Sequence, residues 1–140
     1  MAVKTFTTMV QTENFIQSAC TKAVEKASSR ICDQLHYFIW DDYYALYDPI
    51  AYSRSYSFLE SAMTRMLSPN SADIYMNADN MKYGDYWDGE TQLYMADAGF
   101  HGNVGIWREG FFWKDFEKWC NENAIRILRE ELANQGIKTV

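Results

Sequence analysis

Thr12-Glu13-Asn14-Phe15-Ile16-Gln17-Ser18-Ala19-Cys20-Thr21-Lys22-Ala23-Val24-Glu25-Lys26-Ala27 sets the fold of this chain, because its apolar residues return at steps of three and four. Ile31, Leu35, Phe38 and Ile39 continue the rhythm, while Lys22, Glu25, Lys26, Ser29, Arg30 and Asp33 occupy the other face. That is the period of an amphipathic helix, about 30 residues and roughly 45 Å long. Thr12 is placed to cap it, and Glu13 in the first turn suits the helix dipole. Beyond Leu35 the helix becomes aromatic all round, through His36, Tyr37, Phe38, Trp40, Tyr43, Tyr44 and Tyr47. Such a helix is expected to be buried on every side, in the fold or against a neighbouring subunit, so its end reads as a docking surface. Asp48-Pro49 is expected to end it, since the proline ring pushes Asp48 out of the α region, and an extended segment should follow.

Working outward, residues 1–10 scatter Phe6, Met9 and Val10 among threonines and read as an extended arm. Ser61–Leu67 and Ala72–Ala78 bracket Ser68-Pro69-Asn70-Ser71, whose Pro and Asn are turn chemistry, so a β-hairpin is expected. Ala72, Ile74, Met76 and Ala78 alternate with Asp73, Tyr75, Asn77 and Asp79, as in a half-buried strand. Two strands alone are marginal, so the hairpin must pack on the long helix or join a larger sheet. Residues 79–89 have neither period and read as an exposed loop. A short helix is expected from Glu90 to Ala98, stopped by Gly99, and Gly99–Gly105 reads as a mobile link. Phe112, Phe116, Trp119, Cys120, Ala124, Ile127, Leu128 and Leu132 form the stripe of a last helix, with Gly136 as its C-cap. The expectation is a single α+β domain over residues 1–140, with the long N-terminal helix and the C-terminal helix packed on a small antiparallel β-sheet.

A length of 140 residues suffices for a real core. Aromatics reach 16%, with ten Tyr and five Trp. Rings in that density fill a core or build an interface, and the sequence leaves both open. The net charge of −6 argues against a protein that grips nucleic acid, which needs clustered Lys and Arg. Cys20, Cys32 and Cys120 form no C-x-x-C and are odd in number, which reads as reduced thiols in a cytoplasmic setting. No apolar run approaches the ~18 residues that span a bilayer.

Few residues invite chemistry. Gly99, Gly102 and Gly105 match neither a dinucleotide fingerprint nor a P-loop. His36 and His101 with the dispersed thiols fit no zinc spacing, so His36 reads as a core or interface residue. Asp41 and Asp42 are adjacent and do not share a helix face. Asp79, Asp85 and Asp88 lack the alternation and closing Glu of a calcium loop. These acids read as solvated side chains. No catalytic residue, cofactor or metal is expected, although a hydrolase built on an Asp and His101 stays a weak alternative. Tyr83, Tyr86 and Trp87 in the 79–89 loop suit stacking on a sugar ring or docking on a partner protein.

Tyr52, Arg54, Ser55, Leu59 and Ser61 make a spaced motif that resembles one found in small structural proteins of long-tailed bacteriophages, tail components of the neck or tail-completion position. That motif usually carries Thr where Ser55 stands. Ala78-Asp79-Asn80-Met81, Gly99-Phe100-His101-Gly102 and Phe112-Trp113 are similar to further steps of the same family, whereas Ile106-Trp107-Arg108-Glu109 stands in place of its Arg-Pro-Phe. The resemblance implies a non-enzymatic virion protein, a head–tail connector forming a ring of six or twelve copies. It implies portal or adaptor proteins on one side, and the tail tube or tail terminator on the other. DNA would pass without specific binding, and assembly would take place in the host cytoplasm. Candidate interface residues are Tyr43, Tyr44, Tyr47, Tyr52, Arg54, Tyr83, Tyr86 and Trp87, with Arg54 as an ion-pair former and Tyr52 as its packing partner. The alternative is a small, acidic, aromatic-rich binding module that recognises a carbohydrate or a host protein.

Overall fold

The apolar stripe does form one continuous helix, α1 (Met9–Asp42), in a computed structural model that describes residues 4–46, 55–81, 88–98 and 111–139. Its buried positions are Ala19, Ala23, Ala27, Ser28, Ile31, Cys32, Leu35 and Ile39. The helix starts earlier than Thr12. Thr8 is the cap, its Oγ1 accepting from the Gln11 N–H at 3.2 Å, and the Thr12 hydroxyl donates back to the Thr8 carbonyl from within the first turn. Met9 and Val10 therefore belong to the helix, and the arm shortens to residues before it. There Phe6 lies 5.0 Å from the Phe15 ring, and Lys4 Nζ sits 4.5 Å over the same ring.

The other end also differs. α1 stops at Asp42, before Asp48, with Tyr43 as its cap and a 3-10 turn over Tyr44–Leu46. Tyr43 and Tyr44 leave the helical path and turn their rings toward Phe58, at 4.7 and 6.4 Å. Residues 47–54, including Asp48-Pro49, lie outside the described residues. After them the chain is not extended: Ser57–Glu60 forms one helical turn, α2.

The hairpin comprises β1 (Ala62–Ser68) and β2 (Ser71–Met76), antiparallel, turning at Pro69-Asn70. Ala62 pairs with Met76, Thr64 with Ile74 and Arg65 with Asp73. β2 ends at Met76 because Asn77 caps a 3-10 turn over Ala78–Asn80, its Oδ1 accepting from the Asp79 N–H. Ala62, Ile74 and Met76 face the core, while Arg65 reaches Asp73 at 3.0 Å and covers Tyr75 on the outer face. That exposed ion pair contributes little to stability.

The expected exposed loop at 79–89 is structured at both ends. Met81 is fully buried, and Asp88-Gly89 open the helix α3 (Gly89–Asp97). The last helix, α4 (Phe111–Asn134), runs antiparallel to α1: Phe38 meets Phe116, Arg30 meets Glu130 and Glu131, and Phe15 lies beside Gly136. Ala19, Ala23 and Ala27 let the helix backbones approach closely. Gly136 adopts φ 89°, and the Gly136 and Ile137 N–H groups donate to the Ala133 and Leu132 carbonyls, which closes α4 as a Schellman cap. One apolar cluster joins α1, α2, β1, α3 and α4, with Ile74 and Met76 of β2 packed against it. The arrangement is α+β: two long helices on a small antiparallel sheet.

Candidate interaction surfaces

The aromatic residues that end α1 gather with those that open α4. Phe58 meets Phe112 edge-on at 5.4 Å, and Trp113 lies 5.7 Å from Phe116. This cluster is core. Tyr44 is buried in it and Tyr43 is half-buried, so of the candidate interface residues these two face inward within the chain. Tyr47, Tyr52, Arg54, Tyr83, Tyr86 and Trp87 lie outside the described residues. The rings that α1 leaves on the surface are Tyr37, 55% exposed, and Trp40, 46% exposed.

Trp40 is not alone. Tyr56 stacks beside it at 6.1 Å with planes only 19° apart, and both rings cover Tyr44. Tyr56 reaches that place through a left-handed backbone, φ 58° and ψ 11°. For a residue with a Cβ that conformation costs on the order of 1–2 kcal/mol, and surrounding contacts must hold it. Here they are the rings of Trp40 and Tyr44. A strained tyrosine thus builds an aromatic pair at the surface, next to the Ser55–Ser61 part of the motif. Ser61 itself is fully buried, its hydroxyl donating to the Phe58 carbonyl at 2.6 Å.

A second surface feature is an open apolar groove of about 450 Å³. It is lined by Ile74, Tyr75 and Met76 of β2, Leu93 and Tyr94 of α3, and Phe112 and Trp113 of α4. Consecutive residues of a strand point to opposite faces, so three in a row along one groove mean that it runs beside the edge of β2. Among the described residues, that edge carries backbone groups that β1 does not use. Asn77 donates to the Ser61 carbonyl at 2.7 Å, which marks that pair as hydrogen-bonded. Alternation along the ladder then makes Met63/Tyr75 and Arg65/Asp73 the bonded pairs, so the N–H and C=O of Ile74 and Met76 point away from β1.

α3, which contributes Leu93 and Tyr94 to the groove, is anchored at its start. Asp88 caps it, its Oδ1 accepting from the Thr91 N–H at 2.7 Å, and that bond holds the Asp88 carboxyl below its usual range. A Cβ on Gly89 would overlap the Ala78 carbonyl oxygen, so only glycine lets α3 sit against the 3-10 turn. Asp88 therefore works as a cap and not as a loop acid. Asp79 is exposed, Asp41 is exposed and Asp42 half-buried; Asp85 and His101 lie outside the described residues. His36 is half-buried on α1. Among the described residues no group of three His, Cys, Asp or Glu side chains comes together as a metal site. All three cysteines are free, and burial pushes the Cys32 and Cys120 thiols up. Among the described residues, no helix is long and apolar enough to cross a membrane.

Sequence reasoning did not single out Trp40 with Tyr56, nor the groove. The outward ring of Trp40 had a signal in the helix wheel, but the left-handed Tyr56 had none. Compared with family models, curated proteins and solved structures, the chain matches none.

Proposed function

We propose that the chain is a structural subunit of a long-tailed phage virion, a head–tail connector or tail-completion protein that closes with copies of itself into a ring at the neck. The observation that carries this reading is the Trp40–Tyr56 pair. Backbone strain spent to hold aromatic rings at the surface fits a contact face better than a solvated one, because aromatic rings concentrate in the centres of protein interfaces. The antiparallel α1–α4 pair would supply a stiff wedge, and the resemblance of Tyr52, Arg54, Ser55, Leu59 and Ser61 to the motif of phage neck proteins supports the phage context. Portal or adaptor proteins and the tail tube or tail terminator are the neighbours this assigns. The acidic balance of the chain suits passage of DNA without adhesion.

A second reading, a small binding module, draws support from the groove. Its lining is apolar, which suits a segment of a host protein better than a carbohydrate. Light scattering across a concentration series, with negative-stain images of the same samples, separates the two. Closed rings with a central hole that are lost in Trp40→Ala support the connector. A chain that stays monomeric at the highest attainable concentration refutes self-assembly and leaves the binding module.

A further inference from the structure

A single exposed stripe runs along α1 through Lys22, Lys26, Ser29, Asp33 and Tyr37, which recur at steps of three and four. Its charges are sorted by sign. Lys22 and Lys26 precede Ser29 and Asp33 follows it, and the helix goes on to end in Asp41-Asp42 with no base in its last turn. That order opposes the helix dipole, which favours acids early and bases late. Lys22 and Lys26, one turn apart, repel each other. Lys26 and Asp33 stand about 10 Å apart along the axis, too far to pair within one helix. Among the described residues, Lys22, Lys26 and Asp33 make no side-chain hydrogen bond or ion pair. Lys26 adds its charge at Glu131 without pairing with it.

We infer that two copies of the chain pair through this face, antiparallel and two-fold symmetric about Ser29-Arg30. Lys26 and Asp33 lie equally far from that centre, and so do Lys22 and Tyr37. An antiparallel pair therefore sets Lys26 against the partner's Asp33 and Lys22 against the partner's Tyr37, each contact made twice. The first is an ion pair. The second places a cation over a ring that is 55% exposed. Ser29 has a small side chain and lets the helices approach where they cross, while Arg30 is held by Glu130 and Glu131 of its own chain. A parallel pair would instead set Lys against Lys and Asp against Asp, so the charge order selects the direction. It also selects the partner, because complementarity about one centre is the property of a contact between identical surfaces. The contact spans about 22 Å of helix, a small interface whose pairing is weak and sensitive to salt. It goes beyond the ring reading: Trp40 and Tyr56 lie outside these positions, and the pairing stands whether or not rings close.

Sedimentation equilibrium of the full chain across a concentration series, at low and high salt, tests this. The expected result is a reversible dimer that weakens as salt is raised. Lys26→Glu sets like charges together twice and is expected to weaken the dimer about tenfold. Lys26→Glu combined with Asp33→Lys rebuilds both pairs with their signs exchanged and is expected to restore it. Both positions are exposed, so the core is left alone. Ser29→Cys is expected to give a disulfide between the two introduced thiols under mild oxidation, identified by peptide mass. Ser18→Cys, exposed on the same helix but far from the centre, is expected not to. A monomer at every concentration, a double variant as weak as the single one, or equal cross-linking at both positions overturns the proposal. Rings that form alike in the parent and in Lys26→Glu, with no cross-link from Ser29→Cys, overturn it while the connector reading stands. A dimer restored by the charge exchange that never closes into rings keeps the pairing and refutes the ring.

Discussion

Replacing Gly89 by Ala tests the packing that frames the groove. The new Cβ would lie 2.9 Å from the Ala78 Cα and inside the carbonyl oxygen, where carbon atoms normally keep 3.5–4.0 Å. Both neighbours are backbone, so no side chain can swing aside, and α3 must retreat by about 1 Å or more. Overpacking of this kind costs about 1–3 kcal/mol, and the better helix propensity of Ala returns at most about 1 kcal/mol. A net loss of about 1–2 kcal/mol corresponds to a fall in Tm of roughly 3–7 °C for a chain of 140 residues. Urea melts give the global value, and hydrogen exchange along 88–98 shows whether the loss is taken locally as fraying of α3. A variant as stable as the parent, with unchanged exchange in α3, would refute the close approach of α3 to the 3-10 turn.

Leu35→Ala removes a fully buried side chain near the C-terminal end of α1 and is expected to cost about 2–5 kcal/mol in a denaturant melt. The Arg30 guanidinium, bonded to Glu131 at 2.7 Å and Glu130 at 2.8 Å, holds both carboxyls below the usual range, with Arg126 adding to the effect on Glu130. Their contribution is therefore complete above the ordinary glutamate pKa near ~4.3 and fades as pH falls through the lowered folded values. Arg30→Ala should flatten that acid limb in stability measured against pH, and an unchanged profile would remove the pair from the account. Thiol labelling of the native chain should be slowest at Cys32, which is buried with a raised thiol pKa, and intact mass should show no disulfide.

The two long helices and the hairpin were legible because each carries its period over many residues, and Pro69-Asn70 leaves no doubt about the turn. Their ends were less so. Thr8 and Thr12 are equally good caps in composition, and only the helix itself decides, by turning the Thr12 hydroxyl back onto Thr8. At the far end the aromatic run favoured a longer helix, but tertiary contacts with Phe58 drew Tyr43 and Tyr44 off its axis. The groove was invisible for a different reason. Its walls come from β2, α3 and α4, and its dimensions depend on a glycine whose importance lies in what a carbonyl across the chain would meet.

The pairing of α1 with α4 also shapes how the chain comes to fold. The two helices are separated by some of the longest loop the sequence can close, so α1 leaves the ribosome well before its partner exists. Along its first half the face that waits is a row of methyl groups, Ala19, Ala23 and Ala27, and not leucines. Such a face gains little from premature collapse or from sticking to another nascent chain, yet fits tightly once α4 arrives. The alanine stripe thus defers the helix pair until α4 has been made, when the aromatic residues that open α4 can seed it.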